Sequence, residues 1–300
     1  MKHKLNLFIL CIAGLLSVAA CRTVRVEGPE VSPQQVKPAL KKAKQSLMPT
    51  SLSTKELPPV LGGLIQSDNW IIYKDKKQEE FKGNVSYDNG TYIFRAGYAL
   101  SDRAKGTFFA KDHVYLRQNA PEGAFYEAQG DNAWYNYQTQ QGKLSATGKA
   151  PVKLVYRDEK GQTLMATARQ ATVLFDQKIY ILEKDVRVMR PSPQGMQTVT
   201  AQKVTIKQAQ NQALLEGNAT LSDPQRTLQA QTIFYDGQKN LAYAYGERPL
   251  AQGTTEQGTF AVIADHFQSD NNGEQITLDG KVQGWLISPK INEASLNAKF

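Results

Sequence analysis

The sequence predicts an all-β fold, an antiparallel jelly roll or open sandwich assembled from six or seven two-stranded units. Three observations predict it: a two-part motif that recurs along residues 61–300, short alternating apolar segments punctuated by Gly, Asn and Asp, and no helical period after residue 60. One mark of the motif is Gly, then Asn or Lys, then Val or Ala, as in Gly83-Asn84-Val85, Gly148-Lys149-Ala150, Gly217-Asn218-Ala219 and Gly280-Lys281-Val282. The other is an alanine opening an alternating stretch: Ala96, Ala128, Ala168, Ala201, Ala230 and Ala264. Sixteen residues after these alanines come Asp112, Lys184, Gly217, Gly246 and Gly280, whereas Ala128 reaches Gly148 only across four extra residues. Six residues after three of them come Asp102, Asp236 and Asp270, each at an expected turn.

Within each unit, segments such as Val204-Thr205-Ile206, Ile233-Phe234-Tyr235 and Ile276-Thr277-Leu278 have strand composition. Asp88-Asn89-Gly90 is the strongest hairpin signal, because Asn-Gly supplies the pair of positive φ angles that a primed turn requires. A β-helix, a propeller and an outer-membrane barrel fit the spacing less well.

The chain opens with a segment that is an address rather than structure. Met1-Lys2-His3-Lys4 is a basic start, residues 5–16 are apolar, and Ser17-Val18-Ala19-Ala20 places small residues before Cys21. Residues 1–20 are thus expected to be a lipoprotein signal peptide and Cys21 the lipidated first residue of the mature chain. The second cysteine, Cys11, lies in the removed part, which leaves no disulfide. Two or more acyl chains give stable anchoring without a span. Residues 21–60 read as a flexible Pro- and Lys-rich tether, with no aromatic residue between Arg22 and Val60 and six of the 13 prolines.

Of the formal charge of +8, the tether carries +4 and the leader +2, so the body of 240 residues is nearly balanced. Nucleic-acid binding, which needs clustered cations, loses its support. Catalysis finds no foothold either: His113 and His266 lie in no ligand motif, no nucleophile elbow or phosphate loop is present, and Glu79-Glu80 and Asp158-Glu159 read as solvated turns. No cofactor or metal is expected.

The segments Ala201-Gln202-Lys203-Val204, Ala230-Gln231-Thr232-Ile233 and Ala264-Asp265-His266-Phe267, each followed by a Gly-Asn-Val type element, resemble the OstA-like repeats of the LptA, LptC and LptD amino-terminal jelly-roll family of lipopolysaccharide transport. The resemblance covers roughly residues 70–287. It implies two sheets around an apolar interior that shields acyl chains, and other jelly-roll transport components as partners through end-to-end β-augmentation. The greater length and the lipid anchor depart from the usual single domain.

Alternation nominates the interior residues as candidates for lipid contact: Phe94, Phe108, Val114, Leu116, Val173, Phe175, Ile179, Ile181, Val186, Val188, Val204, Ile206, Ile233, Ile276, Leu278 and Val282. For any single one of them, plain core packing is the commoner reading. The expectation is a periplasmic, membrane-anchored protein that binds lipopolysaccharide or a related lipid and takes part in its export to the outer membrane. Arg22 after the lipidated cysteine slightly favours anchoring in the outer membrane. A structural or scaffolding lipoprotein binding only protein or glycan is the alternative, and a tightly filled interior with no lateral opening would favour it.

Overall fold

The computed structural model describes residues 63–120, 123–192, 195–255, 258–270 and 276–287. The leader, Cys21 and the tether lie outside these residues. Eight of the strands, numbered in chain order, are long: β3 (Gln78–Asp88), β4 (Tyr92–Asp102), β5 (Thr107–Asn119), β6 (Phe125–Asn136), β11 (Ile179–Ser192), β12 (Gly195–Lys207), β13 (Gln212–Ser222) and β14 (Arg226–Asp236). Six are short strands near the ends of the sequence of pairings or within its middle: β1 (Leu64–Gln66), β2 (Asn69–Tyr73), β7 (Gln141–Ser145), β8 (Val152–Arg157), β9 (Thr163–Ala168) and β10 (Gln170–Leu174). The last six, also short, are β15 (Leu241–Tyr245), β16 (Leu250–Thr255), β17 (Gly258–Ile263), β18 (His266–Asp270), β19 (Ile276–Asp279) and β20 (Gln283–Ile287). A 3₁₀ turn at Gln208–Gln210 joins β12 to β13.

Every pairing is antiparallel, and the pairings resolve into two layers. Layer I runs β2, β3, β4, β5, β6, β7, β10, β11, β12, β13, β14, β15, β18, β19. Layer II runs β1, β3, β4, β5, β6, β8, β9, β11, β12, β13, β14, β16, β17, β20. The eight long strands belong to both, one half in each layer. At roughly 4.8 Å between neighbouring strands, each layer extends about 60 Å from first strand to last.

A long strand changes layer at a corner where two residues oppose one, and there the recurring motif acquires its physical meaning. The registers break between Lys82 and Val85, Lys111 and Val114, Glu183 and Val186, and Glu216 and Ala219. The extra pair is left-handed each time: Gly83 and Asn84 (φ 72° and 46°), Asp112 and His113 (66° and 59°), Lys184 and Asp185 (65° and 54°), Gly217 and Asn218 (79° and 50°). Such bulges bend a strand and increase its twist, which turns it from one sheet into the next. Just beyond the corner, the first residue on one strand pairs with the alanine of the next, as Val85 with Ala96, Val186 with Ala201 and Ala219 with Ala230. Alanine suits this place because the layers meet closely there: Ala168 is 1% exposed and Ala219 and Ala264 are 0%. In β6 the position belongs to Gly130, paired with Val114, and not to Ala128, which lies two residues further into layer II. That shift halves the four-residue irregularity expected around Ala128, and Gly148-Lys149, unlike the other Gly-Asn or Gly-Lys pairs of the motif, is not left-handed.

The hairpin at residues 88–92 forms, with a different turn from the one expected. Gly90 has φ 81°, but Asn89 is not left-handed. The Asn89 side chain instead accepts hydrogen bonds from the Thr91 and Tyr92 amides, at 3.1 and 2.6 Å. This local bond offers the turn an alternative to a second positive φ. Asp102 and Asp236 sit at turns as expected, accepting from the amides of Lys105 and of Gln238 and Lys239. Glu79 and Glu80, expected in a turn, lie within β3, where Glu80 accepts bonds from the Tyr73 and Tyr98 hydroxyls at 2.8 and 3.0 Å. The Tyr73 bond leads the causes that hold the Glu80 carboxyl below its ordinary range.

Candidate functional site

Following the pairing register across layer I generates one uninterrupted apolar row on its inner face. It runs Trp70, Phe81, Ala99, Ala110, Ala133, Leu144, Ala171, Leu182, Val204, Leu215, Ile233, Ala244, Phe267, Leu278. Layer II answers with Ile65, Tyr87, Phe94, Leu116, Ala128, Leu154, Ala166, Val188, Val199, Leu221, Leu228, Ala251, Val262 and Gly284. Directly paired residues project from the same side of a sheet, so these rows face one another along the whole roll.

Burial divides that interior into three stretches. Near the amino-terminal end it is partly open: Phe94 of layer II meets Phe108 of layer I edge-on, ring centroids 5.5 Å apart, while Leu116, on the inner row beside Phe94, is 38% exposed. The middle is closed, with Ala166 at 0%, Val188, Val199 and Tyr180 at 3% and Ile206 at 1% exposure. A polar waist completes this closure. Tyr126 and Tyr156 of layer II stack with centroids 4.7 Å apart, and Tyr180 of layer I is near enough to Tyr126 to feel its charge. Burial first, then Tyr126, pushes both the Tyr156 and the Tyr180 hydroxyl up to about 12. Arg190, 8% exposed, donates to Gln162 Oε1 at 2.6 Å. Towards the carboxyl-terminal end the layers part again around a cavity of about 370 Å³, walled by Leu228, Ile233, Ala244, Val262, Phe267 and Leu278.

The nominated residues distribute accordingly. Val114, Val186, Val188, Val204, Ile206 and Ile233 are buried between the layers as core. Phe94, Phe108, Val173 and Leu278 are half-buried against that core. Phe175 meets Tyr135 at 5.8 Å at the groove margin. Ile276, 61% exposed, and Val282, 49%, stand at the carboxyl-terminal end. Ile179 and Ile181 are not interior. Their neighbours Tyr180 and Leu182 are the buried pair, and the period of two sends Ile179 and Ile181 to the outer face of layer I. Sequence reasoning missed Tyr126, Tyr156 and Arg190, because the search for alternating apolar positions passed over side chains with polar tips.

The described residues hold no group of three or more His, Cys, Asp or Glu side chains able to ligate a metal, and no helix long and apolar enough to cross a membrane.

The architecture defines a class: two-layer antiparallel repeat rolls with an apolar interior. Residues 64–210 match the family model described as LptA/(LptD N-terminal domain) LPS transport protein, the family that the repeats resemble. Among solved structures, LptH of Pseudomonas aeruginosa, described as the LptA homologous periplasmic component of the conserved lipopolysaccharide transport device, is similar over 39% of this chain and 79% of that one, at 15% identity and a TM-score of 0.32. No curated protein matches the chain significantly.

Proposed function

We propose that this protein is a periplasmic component of lipopolysaccharide transport, anchored through lipid on Cys21, that shields acyl chains between its two layers on their way to the outer membrane. The observation that carries the reading is the paired apolar rows, filled at the waist but accessible at both ends. A lipid in transit gains about 0.8 kcal/mol for each CH₂ removed from water, while its head group stays hydrated at an open margin. The family match over residues 64–210 supports the same reading. The accessible stretches argue against a purely scaffolding interior.

The ends of the roll supply partner surfaces. At one end β1 and β2 expose Ile65, Trp70 and Ile72, and at the other β19 and β20 expose Ile276, Trp285, Leu286 and Ile287. Among the described residues, each end presents an unpaired strand edge in both layers at once, the arrangement that β-augmentation by a similar roll requires.

Native mass spectrometry of the full chain with lipopolysaccharide tests the shield. An adduct that depends on acyl length supports it, and a folded chain that takes up no lipid overturns it. For the anchor, Cys21→Ala is expected to abolish acyl labelling and release the protein from the membrane fraction; a variant still labelled and membrane-bound would refute lipidation at Cys21.

A further inference from the structure

Three rows run along the inner face of layer II, from the corners outward. The deepest, where the layers meet, holds Val85, Ala96 and Val114, which are 4%, 7% and 1% exposed. The second holds Tyr87, Phe94 and Leu116. The third, nearest the strand ends, holds Tyr92, Gln118, Tyr126 and Tyr156. Gln118 stands four residues beyond Val114 in β5, about 13 Å from the corner at ~3.4 Å per residue. The two deeper rows are aliphatic or aromatic, and every member of the third ends in a polar group.

Gln118 differs from its neighbours in that row. Its side-chain oxygen Oε1 is buried and accepts no hydrogen bond, alone among the buried side-chain oxygens and nitrogens of the described residues. A buried acceptor left without a donor costs more than an ordinary hydrogen bond contributes, so such an atom calls for a partner that the chain itself does not supply. The register sets Gln118 on the same face as Leu116, the 38% exposed side chain of the amino-terminal stretch. The acceptor therefore lies beside the part of the interior that a ligand can enter.

The three rows match the parts of a lipid in order. Tails seated against Phe94, Leu116 and, from layer I, Phe108 leave the link between tail and head group at the third row, with the head group beyond it in water. An ester link carries acceptors alone, whereas an amide link adds an N–H donor. A site that hydrogen-bonds one group rejects the analogue lacking it far more strongly than an apolar pocket does.

We propose that Gln118 is a specificity residue: its Oε1 accepts a hydrogen bond from the N–H of an amide-linked acyl chain and so favours such lipids over ester-linked ones. The inference rests on the reading of the interior as a lipid shield.

Isothermal titration calorimetry of the full chain with two single-chain probes tests it, the N-methyl and the N,N-dimethyl amide of one saturated fatty acid. They share the tail and the carbonyl, and only the first has an N–H. The preference for the N-methyl probe is expected to be about tenfold greater in the parent protein than in Gln118→Met, whose side chain is of similar length without the amide oxygen. Urea unfolding of Gln118→Met is expected at an unchanged or higher midpoint, since a costly buried acceptor is gone. A clearly lower midpoint would show that the amide is bonded within the fold, and overturns the proposal. The same preference in both proteins overturns the role of Gln118 and leaves the shield standing. A folded chain that binds neither probe overturns both.

Discussion

Phe94 and Phe108 belong to opposite layers and meet edge-on across the interior, centroids 5.5 Å apart and planes at 73°. They tie the two sheets together where the interior is otherwise partly open, so they face both the core and any lipid that enters. Phe108→Ala is expected to destabilise the fold by about 1–3 kcal/mol, less than the ~3–5 kcal/mol of a fully buried phenylalanine because the ring is half-buried. Urea unfolding measures this. In the same stretch Leu116→Asp is expected to leave the unfolding midpoint nearly unchanged while weakening lipid uptake, because that side chain is already 38% exposed. A large stability loss from Leu116→Asp would show that the inner row there is closed core.

The corners make a second prediction. Gly217 has φ +79°, and a Cβ there would stand 2.7 Å from Gln202 Cβ. Gly217→Ala therefore combines an unfavourable backbone conformation with a clash, and about 1–3 kcal/mol of destabilisation is expected. Gly90→Ala shares the positive φ, 81°, but meets nothing within 4 Å, so it is expected to cost less. Thermal melts of the two variants side by side separate the clash from the conformational cost.

The tyrosine waist sets a limit on alkaline stability. Tyr156 and Tyr180 are held at about 12 in the folded chain, against an ordinary value near 10. The folded state therefore keeps protons that the unfolded state releases between these values. Their contribution is fully present below about pH 10 and is lost as the pH climbs towards 12. Tyrosinate absorbance is expected to show late-titrating groups, and Tyr180→Phe is expected to flatten the decline in stability over that window. An unchanged decline would mean that other groups govern alkaline unfolding.

The two ends of the roll should be separable from its interior. Charges on edge strands discourage pairing with another chain. Ile72→Lys at one end and Leu286→Lys at the other, where the side chains are each 58% exposed, are expected to preserve the fold and lipid uptake while abolishing cross-linking to a similar roll. Loss of lipid uptake in either variant would show that the ends also serve the interior.

The repeat was legible in the sequence because its corners demand special residues. A left-handed pair selects Gly and Asn, and a tight approach selects alanine, so Gly217-Asn218 and Ala230 stand out in any window. Where other residues adopt the same corner, as Asp112-His113 and Lys184-Asp185 do, composition hides it and spacing alone recovers it. The candidate interior was legible where strands keep strict alternation, and misassigned at Ile179 and Ile181, since four apolar or aromatic residues from Ile179 to Leu182 leave the phase open. Only the burial of Tyr180 and Leu182 resolves which pair faces inward. The closed waist depends on side chains from strands distant in sequence, which local pattern does not record.

Because each long strand belongs to both layers, neither sheet can slide along the other without breaking a corner. A rung added to one layer is added to the other. Such a molecule behaves as a ruler: duplication of one unit would lengthen it by a fixed increment, leaving its existing contacts and its cross-section as they were.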